Sequence, residues 1–255
     1  MFELDGRTIL VTGASKGIGA AIVETLGRAG AHVIGHYGGD RAGAEAAMAA
    51  IPADRRHLVQ ADLSDMAAVD RMWREALAWR GRIDVLVNNA ATMPTSGGFE
   101  SDDAAWDKAW AETYAVNVLG PTRLMKRAVG HYLEEGGGIL VTVSSWTAQR
   151  GPGNPDLVAY AASKSAVLTA TKTVARSYAD KGILAYVVAP GVVRTRLSEE
   201  AAERTGGADA VTATLAMKEW VPPAELGNLV AFLSSGACRH LSGATLDVNG
   251  ASYIR

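Results

Sequence analysis

The sequence predicts an α/β protein: a doubly wound, seven-stranded parallel sheet with helices on both faces. Three observations predict it. Short apolar, β-branched runs alternate with helix-length amphipathic stretches, the pattern of strands joined by crossover helices. A glycine-rich turn joins the first strand to the first helix. No linker or repeat interrupts the alternation, so the 255 residues read as a single domain, 1–255.

In order, strands are expected at 8–12, 32–36, 57–60, 85–88, 139–144, 184–188 and 245–248. The first, Thr8-Ile9-Leu10-Val11-Thr12, is apolar at its centre without alternation, as befits a strand covered on both faces. Helices are expected at about 17–29, 40–50, 65–80, 102–134, 159–180 and 223–235. Asp40, Ser64 and Asp102 stand where N-caps belong. The patches Gly97-Gly98, Gly136-Gly137-Gly138, Pro152-Gly153-Asn154-Pro155 and Gly206-Gly207 are short enough to be turns. The stretch 194–223, ending at Trp220-Val221-Pro222-Pro223, fits neither strand nor simple crossover. It reads as a substrate loop or lid, with a plain surface insertion as the alternative.

Composition narrows the function. With 48% hydrophobic and 20% charged residues the chain can fill a core and solvate its surface. A net charge of −2 offers no strong field for phosphate backbones or acidic lipids, which points to small-molecule partners rather than nucleic acid or membrane. Cys238 is the sole cysteine. It allows no intrachain disulfide and no metal site of several thiolates, and it reads as a small packed apolar residue. The start, Met1-Phe2-Glu3-Leu4-Asp5-Gly6, carries two acids and no long apolar core, so a cytoplasmic location is expected.

After the first strand comes Gly13-Ala14-Ser15-Lys16-Gly17-Ile18-Gly19, then an amphipathic helix. Glycines let the chain turn sharply and let a pyrophosphate approach, while the amides and dipole at a helix start favour its charge. The second strand ends His36-Tyr37-Gly38-Gly39. An acid at that end commonly binds the ribose 2′-hydroxyl of NAD. Here the first acid, Asp40, is better placed as a helix cap. With Lys16 and Arg41 nearby, NADP(H) is favoured over NAD(H), although Lys16 has solvation as its bland alternative. Asp62, followed by Leu63, is placed to accept from an adenine amino group or to cap the next helix.

The segment Tyr160-Ala161-Ala162-Ser163-Lys164 sits in an Ala-rich helical stretch. Residues four apart share a helix face, so an ammonium can sit near the phenol and favour its ionised form. Tyr160 thereby becomes a candidate proton shuttle.

Taken in order, Thr12-Gly13-Ala14-Ser15-Lys16-Gly17-Ile18-Gly19, Asp62, Asn88-Asn89-Ala90, Asn117, Ser144-Ser145, Tyr160 with Lys164, and Pro190-Gly191 followed by Thr195 resemble the short-chain dehydrogenase/reductase (SDR) family over essentially the whole chain. The resemblance implies a Rossmann-type fold and an NADP(H)-dependent oxidoreductase moving a hydride between nicotinamide and a carbonyl or secondary alcohol. It implies that Ser145 hydrogen-bonds the substrate oxygen, that Tyr160 exchanges its proton, that Lys164 lowers the Tyr160 pKa and holds the nicotinamide ribose, and that Asn117 orders a water relay. Asn117 bonding backbone within its helix, and Ser144 in place of Ser145, stay open as alternatives. The cofactor set it implies is Gly13, Ser15, Lys16, Gly17, Ile18, Gly19, His36, Tyr37, Asp62, Leu63, Asn89, Ala90, Tyr160, Lys164, Pro190, Gly191, Val193 and Thr195, with no metal. It also implies a homotetramer packed through the helices bearing Asn117 and Tyr160; the apolar ending Ala251–Arg255 is consistent with such burial.

Two departures stand out. Ala91 replaces the glycine usual after Asn-Asn-Ala, and the segment 149–156 lengthens the gap between Ser145 and Tyr160. The substrate is left open among a 3-oxoacyl thioester, a sugar and a steroid-like ketone. Met93, Trp146, Met217 and Trp220 hint at an apolar one, while Arg194 and Arg196 hint at an anionic one. A catalytically silent dinucleotide-binding regulator, an NAD-dependent alcohol dehydrogenase of the same family and a sugar-nucleotide epimerase are the alternatives.

Overall fold

The computed structural model describes residues 3–204 and 206–255. Its strands are β1 (Thr8–Thr12), β2 (His32–Tyr37), β3 (Arg56–Gln60), β4 (Val85–Asn88), β5 (Gly138–Val143), β6 (Ile183–Pro190) and β7 (Thr245–Val248). They form one sheet in the order β3-β2-β1-β4-β5-β6-β7, with every pairing parallel. The order reverses between β1 and β4, so the carboxyl ends of those two strands diverge and open a crevice, the place where such sheets bind ligands.

The helices are α1 (Gly17–Arg28), α2 (Arg41–Ala47), α3 (Met66–Arg80), α4 (Asp103–Tyr114), α5 (Gly120–Glu134), α6 (Thr147–Arg150), α7 (Val158–Tyr178), α8 (Arg196–Glu203), α9 (Gly207–Thr214) and α10 (Pro223–Ser235). Alternation along each strand supplies both faces of the sheet. Ile9, Val11, Val85, Val87, Ile139 and Val141 pack with Ile22 and Leu26 of α1 and Val230 of α10. Leu10, Leu86 and Leu140 pack on the other side with Met72 of α3, Leu124 of α5 and Val167 of α7. Burying each such side chain contributes about 1.5–3 kcal/mol before chain entropy is set against it.

Three expectations need correction. The helix expected over 102–134 is capped at Asp102, which accepts from Ala105 N, but it carries a π-turn at Ala115–Leu119 that separates α4 from α5. Helical periodicity reads through a one-residue widening of this kind. The cap of α3 is Asp65, which accepts from Ala67 N, rather than Ser64, whose own N–H and hydroxyl are drawn to Asp62. Cys238 is exposed rather than packed. It lies in the turn beyond the α10 C-cap Gly236, where only its carbonyl reaches the core residue Tyr186, 3.3 Å from the phenol oxygen. The stretch 194–223 folds into α8 and α9 and is clipped back to the chain by a bridge between Val193 and Val221.

Among the described residues no helix is long and apolar enough to cross a membrane.

Candidate active site

The crevice at the β1–β4 divergence is a cleft of about 520 Å³. At one end lies the glycine-rich turn. Gly13 and Gly17 adopt the left-handed conformation, with φ of +72° and +58°. At Gly19 a Cβ would stand 1.9 Å from the Gly13 carbonyl oxygen, so only glycine lets the turn close on itself. Helix α1 then begins with no side-chain cap on its first amides and no acid in its first turn. Those amides and the helix dipole, with Lys16 at the N-cap, are chemically fit for a phosphate group.

The ends of β1 and β4 are tied together. The Thr12 hydroxyl accepts from Asn89 N at 2.9 Å and from Ala90 N at 3.0 Å, and the Asn89 amide donates back to the Thr12 carbonyl at 2.8 Å. Ala91, the departure from the usual glycine, stays out of the left-handed region, where the only non-glycine residues described are Lys218 and Ala251. Its Cβ is accommodated without backbone strain.

At the other end, Ser145, Tyr160 and Lys164 converge. The Lys164 ammonium is buried, at 4% exposure, and donates to the Val143 carbonyl at 2.9 Å. Burial pulls its pKa down to about 8. It lies 5.7 Å from the centre of the Tyr160 ring. The Tyr160 phenol is pushed up to about 12 by burial, opposed by a hydrogen bond from the Ser145 hydroxyl. Ser145 Oγ accepts from Thr147 N at 3.2 Å and from the Thr147 hydroxyl at 2.9 Å, which leaves its own proton for the phenol oxygen. Ser144 instead donates to the Lys164 carbonyl, at 2.9 Å.

Of the residues singled out from the sequence, Gly13, Ser15, Lys16, Gly17, Ile18, Gly19, Asn89, Ala90, Ser145, Tyr160, Lys164, Pro190, Gly191, Val193 and Thr195 line this one cleft. Asp40, Ala91, Ser144 and Arg196 line it as well, whereas His36, Tyr37, Asp62, Leu63, Asn88 and Asn117 do not stand on its wall. His36 is buried beneath the glycine-rich turn and Tyr37 is buried beside it. Asp62 faces Ser64, whose N–H and hydroxyl hold its carboxyl below the usual range, and Leu63 is core. Asn88 is buried and donates to the Pro121 carbonyl at 3.3 Å. Asn117 sits in the π-turn with its amide fully used: Oδ1 accepts from Thr92 N at 2.8 Å, and Nδ2 donates to Thr92 O at 2.8 Å and to Ser163 Oγ at 3.1 Å. It ties the segment after β4 to the residue preceding Lys164. The roles of Thr12, the last residue of β1, and of Thr147, the first of α6, carry no signal in the sequence until their partners are placed.

Of the aromatics, Trp146 and Trp220 pack with Ala202 and Leu215 in a third apolar cluster, while Met217 is exposed. Arg150 lies 4.0 Å from the Trp146 ring centre and Arg194 lies 5.9 Å from that of Trp220.

Residues 13–251 match the family model described as enoyl-(acyl carrier protein) reductase. A 3beta-hydroxysteroid dehydrogenase 1 of Eggerthella lenta is 32% identical over 97% of this chain and 94% of its own. The crystal structure of a 3-ketoacyl-(acyl-carrier-protein) reductase from Brucella melitensis complexed with NADH superposes with a TM-score of 0.87 at 29% identity, covering 99% of this chain and 100% of that one. A candidate NAD(P)-dependent gluconate 5-dehydrogenase from Beutenbergia cavernae, with bound NADP, gives a TM-score of 0.87 at 33% identity and 98% coverage of both chains. With the ordered motifs now set around one cleft, the chain belongs to the short-chain dehydrogenase/reductase family of NAD(P)-dependent oxidoreductases.

Proposed function

We propose that this protein reduces a ketone or other carbonyl compound with NADP(H), on one catalytic unit spanning 1–255 whose lid is 194–223. The observation that carries the reading is the convergence of Ser145, Tyr160 and Lys164 on the same cleft as the glycine-rich turn, with the Lys164 ammonium 5.7 Å from the Tyr160 ring centre. A phenol there holds its proton at neutral pH and can donate it. A bound reduced nicotinamide supplies the hydride that goes to the carbonyl carbon. Tyr160 gives its proton to the carbonyl oxygen, and the phenolate left behind is stabilised by the Ser145 O–H and the Lys164 ammonium. Thr147 holds Ser145 in the orientation this requires. The Gly13–Gly19 turn and the start of α1 would hold the phosphates, with Lys164 at the nicotinamide ribose and Thr195, the α8 cap, at the carboxamide.

NADP(H) is favoured because the Gly38-Gly39-Asp40 rim offers no free carboxylate: Asp40 is turned to cap α2, accepting from Gly43 N at 2.9 Å. NAD(H) is the second choice. The relatives act on a steroid, a ketoacyl group and, for the candidate enzyme, gluconate; the carbonyl accepted here lies within that range. A homotetramer is supported by the aromatic row Phe99, Trp106, Trp110 and Tyr114 along α4, which ends in Phe99, 75% exposed. Light scattering should then give four times the 26.6 kDa chain mass.

The test is Tyr160→Phe, assayed with a panel of carbonyl compounds and both dinucleotides. Turnover should fall about 100- to 10,000-fold while NADPH affinity stays within about twofold. A phenylalanine variant that turns over normally refutes the assignment.

A further inference from the structure

His36, expected beside the adenosine ribose, occupies a different position. Its ring is 2% exposed. Nδ1 accepts from the Gly13 N–H at 3.2 Å, and Nε2 faces the Ala61 carbonyl at 3.1 Å. An amide only donates and a carbonyl only accepts, so this pairing fixes the neutral tautomer with its proton on Nε2. The ring thus bridges the first glycine of the phosphate-facing turn to the end of β3. Its backbone joins the same strut, since the His36 carbonyl accepts from Ala14 N at 2.8 Å.

We propose that His36 is a positioning residue for the dinucleotide: it fixes Gly13, and through it the amides that meet the phosphates, and protonation of its ring releases that hold. A charged imidazole carries N–H on both nitrogens, so Nδ1–H would oppose the Gly13 N–H. One of the two must then move. Thr12 and Val59 are its register partners on β1 and β3. The titratable groups on the connections around it are Lys16, Asp40 and Asp62. The two carboxylates are occupied with Gly43 N and with Ser64. Burial is the main influence on the ring and holds it neutral to below its ordinary 6.5, against the pull of the Ala61 carbonyl. The inference rests on the reading of the cleft as a dinucleotide site.

The test measures the dissociation constants of NADPH and NADH between pH 8 and pH 5 for the wild type, His36→Asn and His36→Leu. Asparagine can place Oδ1 near the Nδ1 position and accept the same N–H, but it does not titrate. His36→Asn should bind within about twofold of wild type at neutral pH. His36→Leu should bind about tenfold more weakly, one buried hydrogen bond having been lost. As pH falls through the ring's own pKa, which burial holds below 6.5, the wild type should lose affinity by up to about tenfold per pH unit beyond any loss shown by His36→Asn. Both proteins see the same ligand ionisation, so the difference isolates the ring. Equal pH slopes in wild type and His36→Asn, or wild-type affinity in His36→Leu, overturn the proposal. Failure of the wild type to bind either dinucleotide at any pH overturns the cleft reading and this inference with it.

Discussion

The two ends of the cleft are built by different means. The nucleotide end is mostly backbone: left-handed glycines, uncapped α1 amides, and strand ends tied by Thr12 and Asn89. The other end is side chains, Ser145, Tyr160 and Lys164, and beside it Trp146, Leu215 and Trp220 pack together with Tyr253 of the C-terminal tail. A site made of backbone tolerates no added atom, whereas a site made of packed side chains can be reshaped one residue at a time. The first suits an invariant ligand and the second a substrate that differs between relatives.

The sharpest way to break that contrast is Gly19→Ala. The new methyl would meet the Gly13 carbonyl at 1.9 Å, and a backbone oxygen cannot swing away as a side chain can. Overpacking of this kind costs about 1–3 kcal/mol of stability, and displacing the turn should weaken NADPH binding about 100-fold, since each 1.4 kcal/mol is a factor of ten. Calorimetric titration with a thermal melt checks both. A variant that binds NADPH normally would show that the turn yields, and the contrast with the substrate end would fail.

Lys164 stands where the two ends meet, and pH probes it. Its folded pKa, about 8, lies below the ordinary 10.5. Between those values the unfolded chain binds a proton that the native protein has released, so stability rises with pH through that window. Below pH 8 the cost of burying the charge is present in full, on the order of 3 kcal/mol. Lys164→Met should remove that pH-dependent rise, seen as melting temperatures that no longer climb from pH 8 to 10 relative to wild type. In the wild type, kcat/KM should decline above pH 8 as the ammonium beside Tyr160 is lost. A flat profile would place the cation outside the chemistry.

How much was legible in the sequence follows the same division. The glycine-rich turn could be read because glycine there answers a backbone need, and Tyr160 with Lys164 because four residues make one helical turn. The sheet could be read because strands covered on both faces are apolar without interruption. Burial at the site could not be read. Spacing places Lys164 beside Tyr160, but only the packed fold shows that the ammonium is buried and donates to the Val143 carbonyl. His36 could be placed at its strand end, but its partners Gly13 and Ala61 could not, because they lie 23 and 25 residues away. The lid resisted for a similar reason. Helices α8 and α9 have eight residues each, too short for periodicity to announce, and they hold their place through Trp146 and Tyr253 from distant parts of the chain.

The smallest expected effect tests whether the segment 194–223, proposed above as a lid, acts independently of the nucleotide end. The tail reaches the lid through the Ser252 hydroxyl, which accepts from Ala216 N at 3.1 Å. Tyr253 is held by Asn249, whose amide donates to its carbonyl at 2.9 Å. Removing one exposed hydrogen bond with Ser252→Ala costs about 0.5–1.5 kcal/mol at most, and it acts on lid closure rather than on the turn. KM for the carbonyl substrate should rise about two- to tenfold, with kcat and the NADPH dissociation constant unchanged. Should NADPH affinity fall by the same factor, the tail would be bracing both ends, and the cleft would have to be treated as one mechanical unit.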